Sequence, residues 1–427
     1  MEKSTGITPI EGLQGKNLYE NPGLFASLGS MEGVPEWVDP SETPAEQAGR
    51  SPWQVQGNRF FELLGAVAPG LGLALALATL GSLAADWLGL RILGFEKTPI
   101  SPILIAIAFG LLIRNSIGLP SVYEPGLQLA LKRVLRVGVA LLGIRLSLAA
   151  AGTIGLVAAP IALVCIASAL VFVTWVNRAL GLPGRLGTLI AVGTAICGNT
   201  AIVAIAPVIG AKDDEVSYAV GCVTVFGILA LVGYPFLAEW LFSGNAHLSG
   251  YFLGTAIHDT AQVAGAGMVY LQQFGTPVAL DTATVTKLVR NMFMLAVIPL
   301  VAFLHQHTEG SGGTGAKLRF SQAVPLFVVG FVAMTLLRTV GDLAVARFSI
   351  MPLDAWQNVI STTGQVASWC LIVAMASVGL GTSFSRMKLL GVKPLAVGLI
   401  AAVLVGVVSF LLIQIAAPFT VPTVAGS

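Results

Sequence analysis

Two stretches of this chain put polar and ionisable side chains inside long apolar runs. They are Gly193-Thr194-Ala195-Ile196-Cys197-Gly198-Asn199-Thr200-Ala201 and Gly254-Thr255-Ala256-Ile257-His258-Asp259-Thr260-Ala261-Gln262. In hydrocarbon such groups must be held by protein, water or a ligand, which makes them the first candidates for a working site. An aspartate inside a bilayer is costly when charged unless a histidine, a cation or a helix end stabilises it, so His258 and Asp259 read as an ion-coupling, proton-handling pair. In a continuous helix of about 3.6 residues per turn, His258 and Gln262 share a face and Asp259 is turned about 100° away. The less specific reading of this pair is a structural ion pair between two helices.

The first stretch has the pattern of a helix broken in mid-membrane, because glycine relaxes the backbone while Thr and Asn replace lost hydrogen bonds. Free N–H groups opening the second half-helix carry partial positive charge and suit an anion or a carboxylate. Cys197, Asn199, Thr200, Gln262 and Arg290 are therefore the candidate substrate contacts. The competing reading is a seam of small residues packing two helices together. Lys287, Arg290 and Asn291 stand at the start of the next apolar window, where a basic cluster ordinarily anchors a span end. Arg145, beside Gly143, is placed similarly. Lys212-Asp213-Asp214-Glu215 reads as a solvated charged turn, and Ser361-Thr362-Thr363-Gly364-Gln365 as a possible broken mate of the Asn199 segment.

The elements that must position these groups are windows of about 20 apolar residues. They run near Leu63–Leu90, Ile100–Leu119, Leu127–Leu148, Ile154–Val176, Leu186–Ile209, Val216–Phe242, Gly250–Leu271, Lys287–Leu304, Ala323–Val340, Val359–Leu380 and Pro394–Ala417. The expected fold is an all-α polytopic membrane protein of about ten or eleven transmembrane helices with broken helices, where the two polar windows are either crossings or re-entrant segments. Counting Lys and Arg at the span ends puts the basic excess on the N-terminal side and predicts a cytoplasmic N-terminus, with Lys212, Lys287 and Arg290 on the other side. Two internal echoes stand out. Leu142-Gly143-Ile144-Arg145-Leu146-Ser147 and Leu380-Gly381-Thr382-Ser383-Phe384-Ser385 lie an odd number of windows apart, as inverted repeats require. The Gly-Thr-Ala-Ile pair lies two windows apart and would be parallel.

Composition agrees. Of 427 residues, 55% are hydrophobic and only 10% charged, and the mean hydropathy is +0.85, outside the range of soluble domains. Residues 1–59 form an expected disordered, acidic cytoplasmic tail, with eight acids among the first fifty residues against Lys3, Lys16 and Arg50. No secretory signal precedes the first window, and residues 60–427 make the transmembrane domain. Cys165, Cys197, Cys222 and Cys370 match no disulfide or metal spacing and read as free thiols. No Walker loop, zinc motif or nucleophile elbow appears, so no metal or cofactor is implied, and no basic surface for nucleic acid exists.

The motifs resemble the YeiH-like sulfate exporter family of bacterial membrane proteins over roughly residues 63–417. The resemblance rests on Ala195-Ile196-Cys197-Gly198-Asn199-Thr200-Ala201-Ile202, Ala206-Pro207-Val208-Ile209, Lys212-Asp213-Asp214-Glu215-Val216, Val223-Thr224-Val225-Phe226-Gly227, Ile257-His258-Asp259-Thr260-Ala261-Gln262-Val263 and Lys287-Leu288-Val289-Arg290. Asn199 stands where that pattern often has a small residue, and Asp259 where it often has Glu. The resemblance implies kinship with cation:proton antiporters and bile-acid-type symporters, inverted repeats, and export of sulfate, a sulfonate or another small anion. The expectation is a secondary transporter of the inner membrane, not an enzyme, coupled to H⁺ or Na⁺ and possible as a homo-oligomer. A cation:proton antiporter is the alternative within transport. A membrane-embedded enzyme using His258 as base on a lipidic substrate is the alternative of another class.

Overall fold

The computed structural model describes residues 52–92, 101–309, 326–348, 352–383, 385 and 392–420. Residues 1–51 of the expected tail lie outside that set. The tail's boundary at 59 falls inside the first helix, α1 (Pro52–Asp86). After α1 come α2 (Pro102–Ser116), α3 (Glu124–Leu129) and α4 (Leu135–Leu141), the last two joined by the π turn Ala130–Val134. The chain continues through α5 (Leu148–Ala179), α6 (Gly184–Ala195), α7 (Asn199–Ile205), α8 (Asp213–Leu241), α9 (Ala246–Ala256), α10 (Thr260–Phe274) and α11 (Val278–Met292). It ends in α12 (Met294–Glu309), α13 (Leu326–Phe348), α14 (Leu353–Gly381) and α15 (Val392–Thr420). No strand occurs among the described residues.

Among the described residues, seven helical segments are long and apolar enough to cross a membrane, including Val278–Val301, built from α11 and the first half of α12. The molecule is an all-α polytopic membrane protein. Its polarity is inside out relative to a soluble domain: Leu156 and Trp240 are 78% and 74% exposed, while Thr282, Thr286, Lys287 and Arg290 are fully buried.

The two polar windows do not cross. In the first, Arg185 Nη1 at the start of α6 donates to Gly210 O beyond α7 at 2.9 Å, and Gly193 near the end of α6 packs on Ile202 of α7. The halves are antiparallel, a re-entrant hairpin with its tip at Ile196-Cys197-Gly198. In the second, Gly250 and Gly254 of α9 lie against Thr282 and Thr286 of α11, so these two helices run parallel. Thr260 of α10 meets Asn291 at one end of α11 and Gly267 meets Leu280 at the other, so α10 and α11 run antiparallel. Hence α9 and α10 form a second re-entrant hairpin, with its tip at Ile257-His258-Asp259.

Only α8 separates the hairpins, and it fixes their relation. The base of the first, at Arg185 and Gly210, adjoins the start of α8, whereas Ser249 at the base of the second donates to Ala238 O near the end of α8. They enter from opposite ends of the bundle and meet tip to tip near Thr224. This corrects the parallel orientation expected for the Gly-Thr-Ala-Ile pair, because an uncrossed window does not advance the chain through the membrane. It also moves Lys212 to the same end as Arg185. Lys212 is no turn residue but the N-cap of α8, its N–H bonded to Glu215 at 2.8 Å. Ser361–Gln365 lies inside the unbroken α14, so it is not a broken mate of the Asn199 segment.

Candidate functional site

Each hairpin tip exists because its sequence can unwind. Gly198 adopts φ 71°, ψ −127°, a conformation essentially confined to glycine. A Cβ there would lie 2.8 Å from Asp259 Oδ2, so the missing side chain also lets the second tip approach the first. At the second tip, Ile257, His258 and Asp259 leave the helix, and Asp259 becomes the N-cap of α10. Its Oδ1 accepts from Ala261 N at 2.8 Å, while Gln262 Oε1 accepts from Asp259 N at 3.3 Å, a reciprocal capping box. The helical-face arrangement expected for His258, Asp259 and Gln262 is thereby overturned, since the first two lie before the helix begins.

Breaking a helix orphans the carbonyls that end its first half. Here two cations from α11 take them. Arg290 Nε donates to Ala195 O at 2.6 Å, its Nη2 to Thr194 O, and its Nη1 to Thr255 O and, at 3.3 Å, to Ile257 O. Lys287 Nζ donates to Ile196 O at 2.7 Å, to Ile257 O at 3.0 Å and to His258 O. Both side chains have 0% exposure. The expectation that they open a span at the interface is corrected: α11 starts at Val278, and they lie deep in the bundle. Their positive charge faces the negative dipole ends of α6 and α9.

A cavity of about 40 Å³ opens where the tips meet, room for about three waters. Its polar lining is Arg136, Cys197, Thr200, Asp259, Thr260 and Asn291, with Leu135, Met294 and Phe327 among its apolar walls. Three of the candidate residues, Cys197, Thr200 and Asp259, are thus brought together. Cys197 Sγ lies 3.8 Å from Met294 Sδ. Asn199 and Gln262 turn instead toward α8, where Asn199 Nδ2 donates to Thr224 Oγ1 at 3.3 Å and Gln262 Nε2 to Thr224 O at 3.3 Å. Arg290 lies behind the tips on backbone carbonyls, and His258 is buried outside the cavity lining with both ring nitrogens lacking a hydrogen-bond partner. Among the described residues no ion pair joins His258 to Asp259. All four cysteines are free.

Thr224, Thr260 and Asn291 were not singled out from sequence for the cavity or its supports. Asn291 was named from sequence only as the neighbour of Arg290 at an expected span end; in the structure its Nδ2 donates to Thr260 Oγ1 at 3.1 Å and its Oδ1 is buried without a partner. A second, wider cavity of about 550 Å³ opens at the end where the α9–α10 hairpin has its base, lined by Arg145, Asp281, Arg338, Ser361, Gln365 and Trp369 among others. There Arg145 Nε pairs with Asp281 Oδ1 at 2.9 Å.

The model of the family described as Conserved hypothetical protein 698 matches residues 69–398. This chain belongs to that family. The matched region contains both hairpins, α11 and α14, so every residue of the tip cavity falls inside it. Among the family's relatives, a UPF0324 membrane protein of Agrobacterium fabrum is 35% identical over 346 residues, covering 81% of this chain and 92% of that protein. One from Fusobacterium nucleatum is 31% identical over 304 residues, 70% of this chain and 85% of its own. Another, from Bacillus cereus (strain ATCC 14579 / DSM 31), is 31% identical over 345 residues, 81% and 93% respectively. No solved structure matches the chain.

Proposed function

We propose that this membrane protein is a secondary transporter that carries a small anion, of the sulfate or sulfonate class, across the inner membrane by alternating access. The observation that carries the reading is the meeting of two re-entrant hairpins, entering from opposite ends, at a small polar cavity between their tips. The two Gly-Thr-Ala-Ile copies are then the marks of an inverted repeat, the N-terminus is cytoplasmic, and the carrier can assemble as a homo-oligomer.

Charge favours an anion. Lys287 and Arg290 stand against the single carboxylate of Asp259 around the tips, so the region is formally positive. The start of α10 is a natural anion seat, and in this state Asp259 fills it with its own carboxylate. An anion arriving beside Thr260 and Ala261 meets that resident charge. Protonating Asp259 removes the charge, so anion and proton enter together; once both leave, the carboxylate caps the helix again. Cys197, Thr200 and Asn291 supply neutral contacts from the other walls. His258 lies outside the cavity lining, which weighs against its use as a base on a lipidic substrate.

The test is uptake of labelled sulfate and of taurine into proteoliposomes under an imposed pH gradient, for wild type and Asp259→Asn. Gradient-driven uptake in wild type that Asp259→Asn loses supports the reading. Absence of flux for both solutes from correctly inserted protein, with cation:proton exchange present instead, replaces it with the antiporter.

A further inference from the structure

In carriers built on discontinuous helices, the carbonyl-rich C-terminal ends of half-helices are where a coupling Na⁺ is coordinated, much as rings of carbonyl oxygens replace an ion's water elsewhere. In this chain those ends converge from both hairpins: Ile196 O closes the first, and Ile257 O and His258 O close the second. All three point at one atom, Lys287 Nζ.

The fit is complete in hydrogen-bonding terms. An ammonium has three N–H donors and accepts nothing, and three carbonyls receive them. Arg290 sits beside it on Thr194, Ala195 and Thr255 and, at 3.3 Å, shares Ile257 O. Among the described residues no carboxylate lies within ion-pair distance of Lys287; the carboxylate that acts on it electrostatically is Asp259 at the second tip, from beyond contact. A buried cation without an ion-pair partner is costly unless dipoles replace its water. The dipoles here are carbonyls at the negative ends of α6 and α9, an environment that suits a desolvated monovalent cation of any origin.

We propose that the Lys287 ammonium is a tethered cation occupying the place of a coupling sodium ion, so that this protein neither binds nor requires Na⁺ there. The consequence for coupling rests on the transporter reading above; the occupancy itself does not. With this position filled from within, the proton on Asp259 is the coupling ion.

The test separates the two. The full chain, purified in detergent, is melted at constant ionic strength in sodium, lithium, ethylammonium or choline chloride. Wild type is expected to melt at the same temperature in sodium and choline. Lys287→Ala leaves the carbonyls around a gap and is expected to melt lower in choline. Sodium, lithium or ethylammonium should restore it by on the order of a few degrees, as ligand linkage dictates. A sodium-specific rise in wild type overturns the proposal, as does a Lys287→Ala protein that no small cation stabilises over choline. If Lys287→Ala does not fold, the wild-type melts still decide, joined by wild-type uptake with and without Na⁺, where sodium-dependent flux overturns it. Because the melts need no substrate, a failed uptake assay removes the transport reading without touching the cation site.

Discussion

The carbonyl oxygens of Thr194 and Thr255 both accept hydrogen bonds from the guanidinium of Arg290. The two threonines hold the same place in the two Gly-Thr-Ala-Ile copies, and the next-but-one residues, Ile196 and Ile257, share Lys287 in the same way. One helix therefore locks two hairpins by reading the same backbone positions in each.

Arg290→Met should remove the lock while keeping most of the volume. Buried carbonyls left without donors cost about 1–3 kcal/mol each, so a loss on the order of 3 kcal/mol or more is expected in denaturation, with faster amide exchange over 193–201 and 254–262. Arg290→Lys should recover only part of it, since an ammonium lacks the planar fork that spans both hairpins. Full recovery by lysine would contradict the two-hairpin lock.

Gly198→Ala should destabilise by about 1–3 kcal/mol from backbone strain alone, with the approach to Asp259 Oδ2 adding to it. Gly275→Ala is the control. Its φ is also positive, at 75°, yet nothing lies within 4 Å of the added methyl, so only the left-handed penalty of about 1–2 kcal/mol applies. Thermal midpoints of the two variants should rank in that order.

Single cysteines at Lys212 and Thr276, introduced into a cysteine-free background, should react with a membrane-impermeant maleimide from opposite sides. Re-entrant hairpins require this, since Lys212 follows the base of one hairpin and Thr276 the base of the other. Two full crossings would place both residues on the same side, and labelling of both from one side would rule the hairpins out.

A double-mutant cycle on Arg145→Met and Asp281→Asn should return a coupling energy of about 1 kcal/mol or more, within the range for contacting residues. The pair is sheltered, at 20% and 12% side-chain exposure, and it ties the loop after α4 to the first turn of α11. Additive effects on the melting temperature would show that it contributes nothing to the union of these elements.

Much of this was legible in the sequence, and the misses share a cause. The broken helices were readable because Gly198, Asn199, His258 and Asp259 have no business in lipid unless the backbone itself opens. Whether each broken window crosses or returns was not, because a window of that length accommodates either path. The parity error for the Gly-Thr-Ala-Ile copies followed directly. α11 began nine residues before its expected start at Lys287, since Asp281, Thr282, Thr284 and Thr286 make it too polar to register as an apolar span. Thr282, Thr284 and Thr286 are buried among other helices, and Asp281 is half-buried against Arg145, a distinction from lipid-facing residues that hydropathy along one chain cannot make. The charged pattern of Lys287 and Arg290 looked interfacial for the same reason. Their true partners are backbone carbonyls, and no residue code announces those.

The order of synthesis gives the Arg290 lock one more meaning. Ala195 leaves the ribosome 95 residues before the arginine that satisfies its carbonyl, and Thr255 35 residues before. Neither hairpin can settle into hydrocarbon while those groups are bare. Both must wait at a hydrated or sheltered place in the insertion machinery until α11 arrives, and the bundle then closes around α11 in one late event. The expected outcome is that chains truncated before Arg290 are held by the insertion machinery or degraded, while chains that extend past it assemble.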